Sequence, residues 1–170
     1  RHDDSPESTM MSTRKKPRRV QLAVPASSEK LIAKSAGTAA DHVFLDLEDA
    51  VALNAKDAAR ELVIAGLNTH DWGAKVRCVR INALASEHCY RDIVDIVEKA
   101  GRNLDTVMVP KVRSAADIHF VATLLGQVEK AARLDRKIGI EVLIEEVEAV
   151  MNVVSISRAS DRIESLIFGI

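Results

Sequence analysis

Six short β-branched runs, at 20–24, 43–47, 76–81, 106–109, 138–144 and 165–168, alternate with amphipathic stretches at 29–36, 55–67, 90–99, 115–132 and 147–158. This rhythm limits the fold more than any other feature, because parallel strands joined by helices must cross over with one hand. Two architectures survive: a doubly wound open sheet and a (β/α)8 barrel. The apolar content of 47% with only 3% aromatic residues suits either, since Ala, Val, Ile and Leu fill buried parallel strands and their covering helices. In the fourth helical stretch Ile118, Val121, Leu125 and Val128 recur at three- and four-residue steps and predict the inner stripe. The first strand runs into Val24-Pro25-Ala26-Ser27-Ser28 rather than a glycine-rich phosphate loop, which argues against a dinucleotide-binding sheet. A TIM-type barrel needs eight units and six are counted, so residues 18–170 read as about its first six β/α units, with an open six-stranded sheet as the alternative.

Residues 1–17 are polar and aperiodic with two prolines, and read as a disordered leader in which Met10 or Met11 could be a start. The basic run Arg14–Arg19 lacks interleaved aromatics and sits in a chain of net charge −1, so a solvated tail is favoured over a nucleic-acid patch. No apolar run reaches the roughly 18–20 residues that cross a bilayer, so no membrane partner is expected. Cys78 and Cys89 have no metal-ligand spacing and read as free thiols of a cytoplasmic protein.

Four strand ends close on polar or charged groups: Asp46, Glu48 and Asp49 after the second, Arg80 and Asn82 at the third, Lys111 after the fourth, Glu145 and Glu146 after the fifth. In α/β proteins chemistry collects at the carboxyl ends of parallel strands. Asp46 or Asp49 could equally cap the next helix. Arg80, whose planar fork suits a substrate carboxylate, could equally pair with Asp46 or Glu48, and both uses are compatible in a barrel mouth. Glu145 is a candidate oxygen ligand for a hard divalent cation such as Mg2+, which needs further oxygens from elsewhere. Glu146 and Glu148 fit the exposed start of a helix, where the dipole favours acids. The histidines His42, His70, His88 and His119 show no ligand spacing and read as structural or exposed.

Taken in order, Val24-Pro-Ala-Ser27, Leu45-Asp-Leu-Glu-Asp-Ala-Val51, Val79-Arg-Ile-Asn82, Met108-Val-Pro-Lys-Val112, Leu143-Ile-Glu145 and Ile167-Phe-Gly169 resemble the citrate lyase β-subunit/HpcH-HpaI aldolase superfamily. Asp71-Trp-Gly73, Tyr90-Arg-Asp92 and Ala115-Ala-Asp-Ile118 are similar to its malyl-CoA/β-methylmalyl-CoA lyase branch. The resemblance spans Arg19 to Ile170 and implies a Mg2+-dependent barrel, with Mn2+ as a substitute ion. The implied reaction cleaves a 3-hydroxyacyl-CoA to acetyl-CoA or propionyl-CoA and glyoxylate, reversibly. The expected partners are an acyl-CoA, a glyoxylate-type keto acid and further copies of the chain, as a trimer or hexamer.

By the same resemblance Glu145 binds the metal with an aspartate shortly after the sixth strand, and Arg80 holds the glyoxylate carboxylate. Glu48 acts around them, by ordering metal-bound water or orienting Arg80. Lys34 matches a coenzyme A phosphate contact, with Ala23 and Val24 lining that site. Ser28 falls where the malyl-CoA enzymes tend to place arginine and Ala26 where they have glycine, which bears on coenzyme A affinity. Glu146-Val-Glu148 replaces smaller residues. The general acid/base is expected beyond Ile170. A citramalyl-CoA or citryl-CoA lyase is the rival within the class, and an inactive barrel fragment or interaction module the rival outside it.

Overall fold

In the computed structural model, which describes residues 16–169, six parallel strands hydrogen-bond in the order β1-β2-β3-β4-β5-β6. They are β1 Gln21–Pro25, β2 His42–Asp46, β3 Val76–Arg80, β4 Thr106–Val109, β5 Gly139–Ile144 and β6 Ile163–Phe168. Each new strand is added at the same edge, and the order never reverses. A doubly wound sheet reverses at its switch point, so this order belongs to consecutive units of a (β/α)8 barrel.

The helices are α1 Glu29–Ala36, α2 Lys56–Thr69, α3 Cys89–Ala100, α4 Ala115–Ala131, α5 Val147–Met151 and α6 Val153–Ser157. They cover one face. Val43, Leu45, Val79, Val107, Val109, Ile140, Val142 and Ile144 alternate along the strands into the main core, where they meet Ile32, Val63, Leu67, Ile93, Ile96 and the α4 stripe. The other strand face carries a separate cluster of Cys78, Met108 and Leu143 with Phe44 and Ile167, all of them strand residues. A sheet with helices on one side and a bare inner face is an arc of a barrel.

The expected helix at 147–158 breaks at Asn152, whose side-chain amide donates to the Arg113 carbonyl 3.0 Å away. Between β5 and β6 the register shifts after Ile140, leaving Glu164 as the extra residue. Its side chain lies over Gly139, where any Cβ would collide with it. The expected leader falls almost wholly outside the described residues. Its last part is not a solvated tail: Lys16 donates to the Lys75 carbonyl at 2.9 Å and pairs with Asp105 at 3.0 Å. Arg18 pairs with Glu164, and Arg19 with Asp41 at 2.8 Å, so these basic groups are spent on the protein's own acids.

Candidate active site

The polar strand ends come together at one rim. Arg80, last in β3, lies beside Asp46, last in β2, in the sheet register, and their side chains form a two-pronged pair. Arg80 Nε donates to Asp46 Oδ1 at 2.7 Å and Nη2 to Oδ2 at 2.6 Å. The Asp46 oxygens also accept the backbone N–H groups of Glu48 (2.9 Å) and Ala50 (3.2 Å). Asp46 therefore caps the turn after β2 while gripping Arg80. Of the alternatives raised for these residues, the Arg80–Asp46 pair is realised and the helix cap is not, since α2 starts after Ala55 with no side-chain cap. The Asp46 hydrogen bond raises the Arg80 pKa further.

Glu48 turns towards the same place. Its Oε2 is 3.5 Å from Arg80 Nη1, and its Oε1 is 2.8 Å from the Lys111 ammonium. The side chain is buried, and neither oxygen accepts a well-aligned hydrogen bond among the described residues. Burial raises the Glu48 pKa, with the Lys111 ammonium working against that. Lys111 completes the circuit to β5: its backbone N–H donates to Glu145 Oε1 at 2.7 Å. It does so from the left-handed region, at φ 51°, a strained conformation for a residue with a Cβ. On the far side, a Cβ on Gly169 would stand 3.3 Å from Glu145 Cβ and 3.4 Å from Oε2. Glycine at that position keeps the second oxygen of Glu145 clear.

The rim is held from behind by two cations on α2. The buried Lys56 ammonium donates to the carbonyls of Leu47 (2.6 Å) and Glu48, fixing the β2 loop, and its burial lowers its pKa. Arg60 Nε donates to Asp92 Oδ1 at 2.9 Å, and Asp92 Oδ2 accepts both the backbone N–H (2.9 Å) and the side-chain amide (2.7 Å) of Asn82. The segment after β3 is thus pinned two residues past Arg80. Sequence reasoning passed over these cations, yet the signal was there. Lys56 and Arg60 lie four apart on the same stripe as Val63 and Leu67, where a charge needs a buried partner.

Arg80, Glu48 and Glu145 are therefore joined through Lys111. The remaining expected residues are not. Ser28 is the N-cap of α1, its Oγ accepting from the Leu31 N–H at 3.4 Å. Lys34 is exposed in the last turn of that helix, about 9 Å further along it. Ala23 is exposed on the inner strand face, whereas the Val24 side chain is buried in the main core on the opposite face.

At the other end of the strands lies a sealed cluster. His42 Nε2 and Thr106 Oγ1 each lie 2.8 Å from Glu141 Oε1, and Arg18 Nε is 3.7 Å from it. His42 is thus structural, as expected. With Cys78, His42 and Glu141 form the one group of three among the described residues whose ligand atoms lie within 4.8 Å of one another. That set does not suit Mg2+, which takes oxygen ligands, and an arginine already stands beside the carboxylate. Burial drives the Cys78 thiol well above its usual range. The Cys89 thiol is likewise pushed up to about 12, and both cysteines are free. No helix of the described residues is long and apolar enough to cross a membrane.

Comparison with known proteins agrees with the barrel arc. An L-malyl-CoA/β-methylmalyl-CoA lyase of Cereibacter sphaeroides is 43% identical over 154 residues, which cover 91% of this chain and 48% of that one. A (3S)-malyl-CoA thioesterase of the same species is 40% identical over 72% of this chain and 42% of its own. Among solved structures, a citrate lyase β subunit of Mycobacterium tuberculosis complexed with oxaloacetate and magnesium superposes with a TM-score of 0.66 at 29% identity. It covers 88% of this chain and 56% of its own. The chain spans about half the length of the curated relatives it matches. The arc of parallel strands, the acids and arginine at its rim and a match over residues 19–170 lead to one conclusion: the chain belongs to the HpcH/HpaI aldolase/citrate lyase family.

Proposed function

We propose that this protein is a Mg2+-dependent carbon–carbon lyase, which also accepts Mn2+. It cleaves malyl-CoA or β-methylmalyl-CoA to acetyl-CoA or propionyl-CoA and glyoxylate, reversibly. The observation that carries the reading is the chain of contacts from Arg80 through Glu48 and Lys111 to Glu145 at one strand-end rim. The donor set fits a hard cation. Glu145 has one oxygen held by the Lys111 N–H and the other beside Gly169, while Glu48 presents two buried oxygens lacking aligned donors. Bound there, magnesium supplies a Lewis acid where negative charge develops on the keto oxygen.

The chain's own residues do the positioning. Asp46 occupies Nε and Nη2 of Arg80, so the guanidinium is locked in orientation, and its Nη1 edge, 3.5 Å from Glu48 Oε2, is the one a substrate carboxylate would approach beside that acid. Glu48, between Arg80 and the metal ligand, orders water or orients the guanidinium. Ala23, Val24, Ser28 and Lys34 form the coenzyme A side of the reading, with Ser28 acting through the α1 cap and Val24 through its backbone. We place the enzyme in the cytoplasm as a homo-oligomer.

A second reading, thioester hydrolysis, is favoured by the thioesterase relative. The two differ in products. The full-length protein, given malyl-CoA with and without Mg2+, should release glyoxylate and acetyl-CoA without a free thiol; citramalyl-CoA, run in parallel, should be slower. Free coenzyme A and malate in place of glyoxylate would establish the hydrolase and sink the lyase.

A further inference from the structure

The side chain of Lys111 is left unused by the proposed chemistry, and the residue touches three acids of the rim. Its amide holds Glu145 at 2.7 Å, and its ammonium stands 2.8 Å from Glu48 Oε1 and 3.5 Å from Asp49 Oδ1. The two ends of this residue differ in freedom. The backbone is fixed in the left-handed region by the turn out of β4, whereas the side chain is 44% exposed and can swing to solvent. Glu48 is the opposite: its side chain is 6% exposed and cannot leave. A carboxylate in that position is costly unless cations stay close, and Arg80 Nη1 at 3.5 Å and the Lys111 ammonium at 2.8 Å are those cations.

We propose that Lys111 is a tethered placeholder for the divalent cation, its ammonium neutralising Glu48 while the metal position is empty and swinging out when the ion arrives. The inference rests on the reading that Glu145 binds the ion. An ammonium held beside Glu48 and a divalent ion bound to Glu145 at the same rim repel, so one must yield. The exposed, flexible group yields. The placeholder keeps the acids from repelling one another in the empty site and sets a threshold of ion concentration for loading. Lys111 is thus a positioning residue for Glu145 through its amide and a competitor through its side chain.

The test is Mn2+ binding, followed by electron paramagnetic resonance, to the metal-free full-length protein and its Lys111→Gln, Glu48→Gln, doubly substituted and Glu145→Ala variants. Lys111→Gln keeps the backbone contact and should bind Mn2+ about five- to tenfold more tightly, the scale of one ordinary net hydrogen bond, as fits a half-exposed ammonium. In the Glu48→Gln background the same substitution should change affinity less than about twofold. An equal gain in both backgrounds would reduce Lys111 to a distant like charge, and unchanged or weaker binding would overturn the placeholder outright. Glu145→Ala separates this from the reading beneath it: wild-type Mn2+ affinity in that variant removes the metal ligand itself, whatever Lys111 does.

Discussion

The same strands end in two polar clusters of opposite character. At the foot, Glu141 takes His42 and Thr106 on one oxygen inside a wholly buried setting, and Arg18 closes the opening. Single atoms are left over there, among them His42 Nδ1 and Glu141 Oε2, but each belongs to a group anchored by its other atom. At the rim, Glu145 is exposed, Glu48 has neither oxygen in an aligned hydrogen bond, and Lys111 sits in a strained turn. Sealed groups anchored on one another stabilise. Groups facing an opening are the candidates for binding.

Substitutions at the two ends should therefore separate activity from stability. The largest effect expected is from Glu145→Ala, which should lower metal-dependent turnover by on the order of a thousandfold or more. Because the side chain is exposed, its unfolding free energy should move by less than about 0.5 kcal/mol. A comparable loss of stability, read by urea titration, would erase the contrast. Next comes Glu141→Ala, which leaves a buried partner uncompensated and should cost about 3–5 kcal/mol in the same titration. Mn2+ affinity of the folded fraction should stay within about twofold of wild type, as sites this far apart act independently. If Glu141→Ala weakens the ion as much as it weakens the fold, the foot is part of the site.

The smallest effect sharpens the comparison through its sign. Burial works to raise the Glu141 pKa, but His42, Thr106 and Arg18 outweigh it, so the folded value is lowered. Its stabilisation is present above the ordinary glutamate range and disappears as pH falls through the folded value. Glu48 is raised, so its contribution is complete below the ordinary range and is lost as pH rises through its folded value. Melting midpoints between about pH 3 and 7 should fall less steeply towards acid in Glu141→Gln than in wild type, and less steeply towards neutral in Glu48→Gln. Parallel curves for all three proteins would mean that neither acid is coupled to folding.

Much of the scaffold was legible because period and composition are local signals. All six strands fall where the β-branched runs stand, and the α4 stripe of Ile118, Val121, Leu125 and Val128 is buried as its spacing predicts. The broken helix was not legible, since the contact from Asn152 to Arg113 depends on tertiary neighbours. In the candidate site, strand-end position brought out Arg80, Glu48 and Glu145 together with other polar residues, and the family resemblance singled out their roles. What they touch was legible only in part: the pairing of Arg80 with Asp46 stood as one of two alternatives, and the part played by Lys111 was not raised. The grip of Asp46 on Arg80 joins residues 34 apart, the bond from His42 to Glu141 spans 99, and the conformation of Lys111 follows from the turn rather than from its side chain. Ser28 shows the converse: a motif position suggested a ligand contact, while the local physics of a helix start claimed the side chain.

Arg18 reaches from ahead of β1 to Glu141 on β5 and Glu164 on β6, linking residues 146 positions apart. Such a link works like the string of a bow. It can be tied only once every intervening strand is in line, so one long-range contact spans the whole curl of the sheet. Severing the string should leave the strands paired but free to flatten, spreading the rim by way of a residue that never touches it.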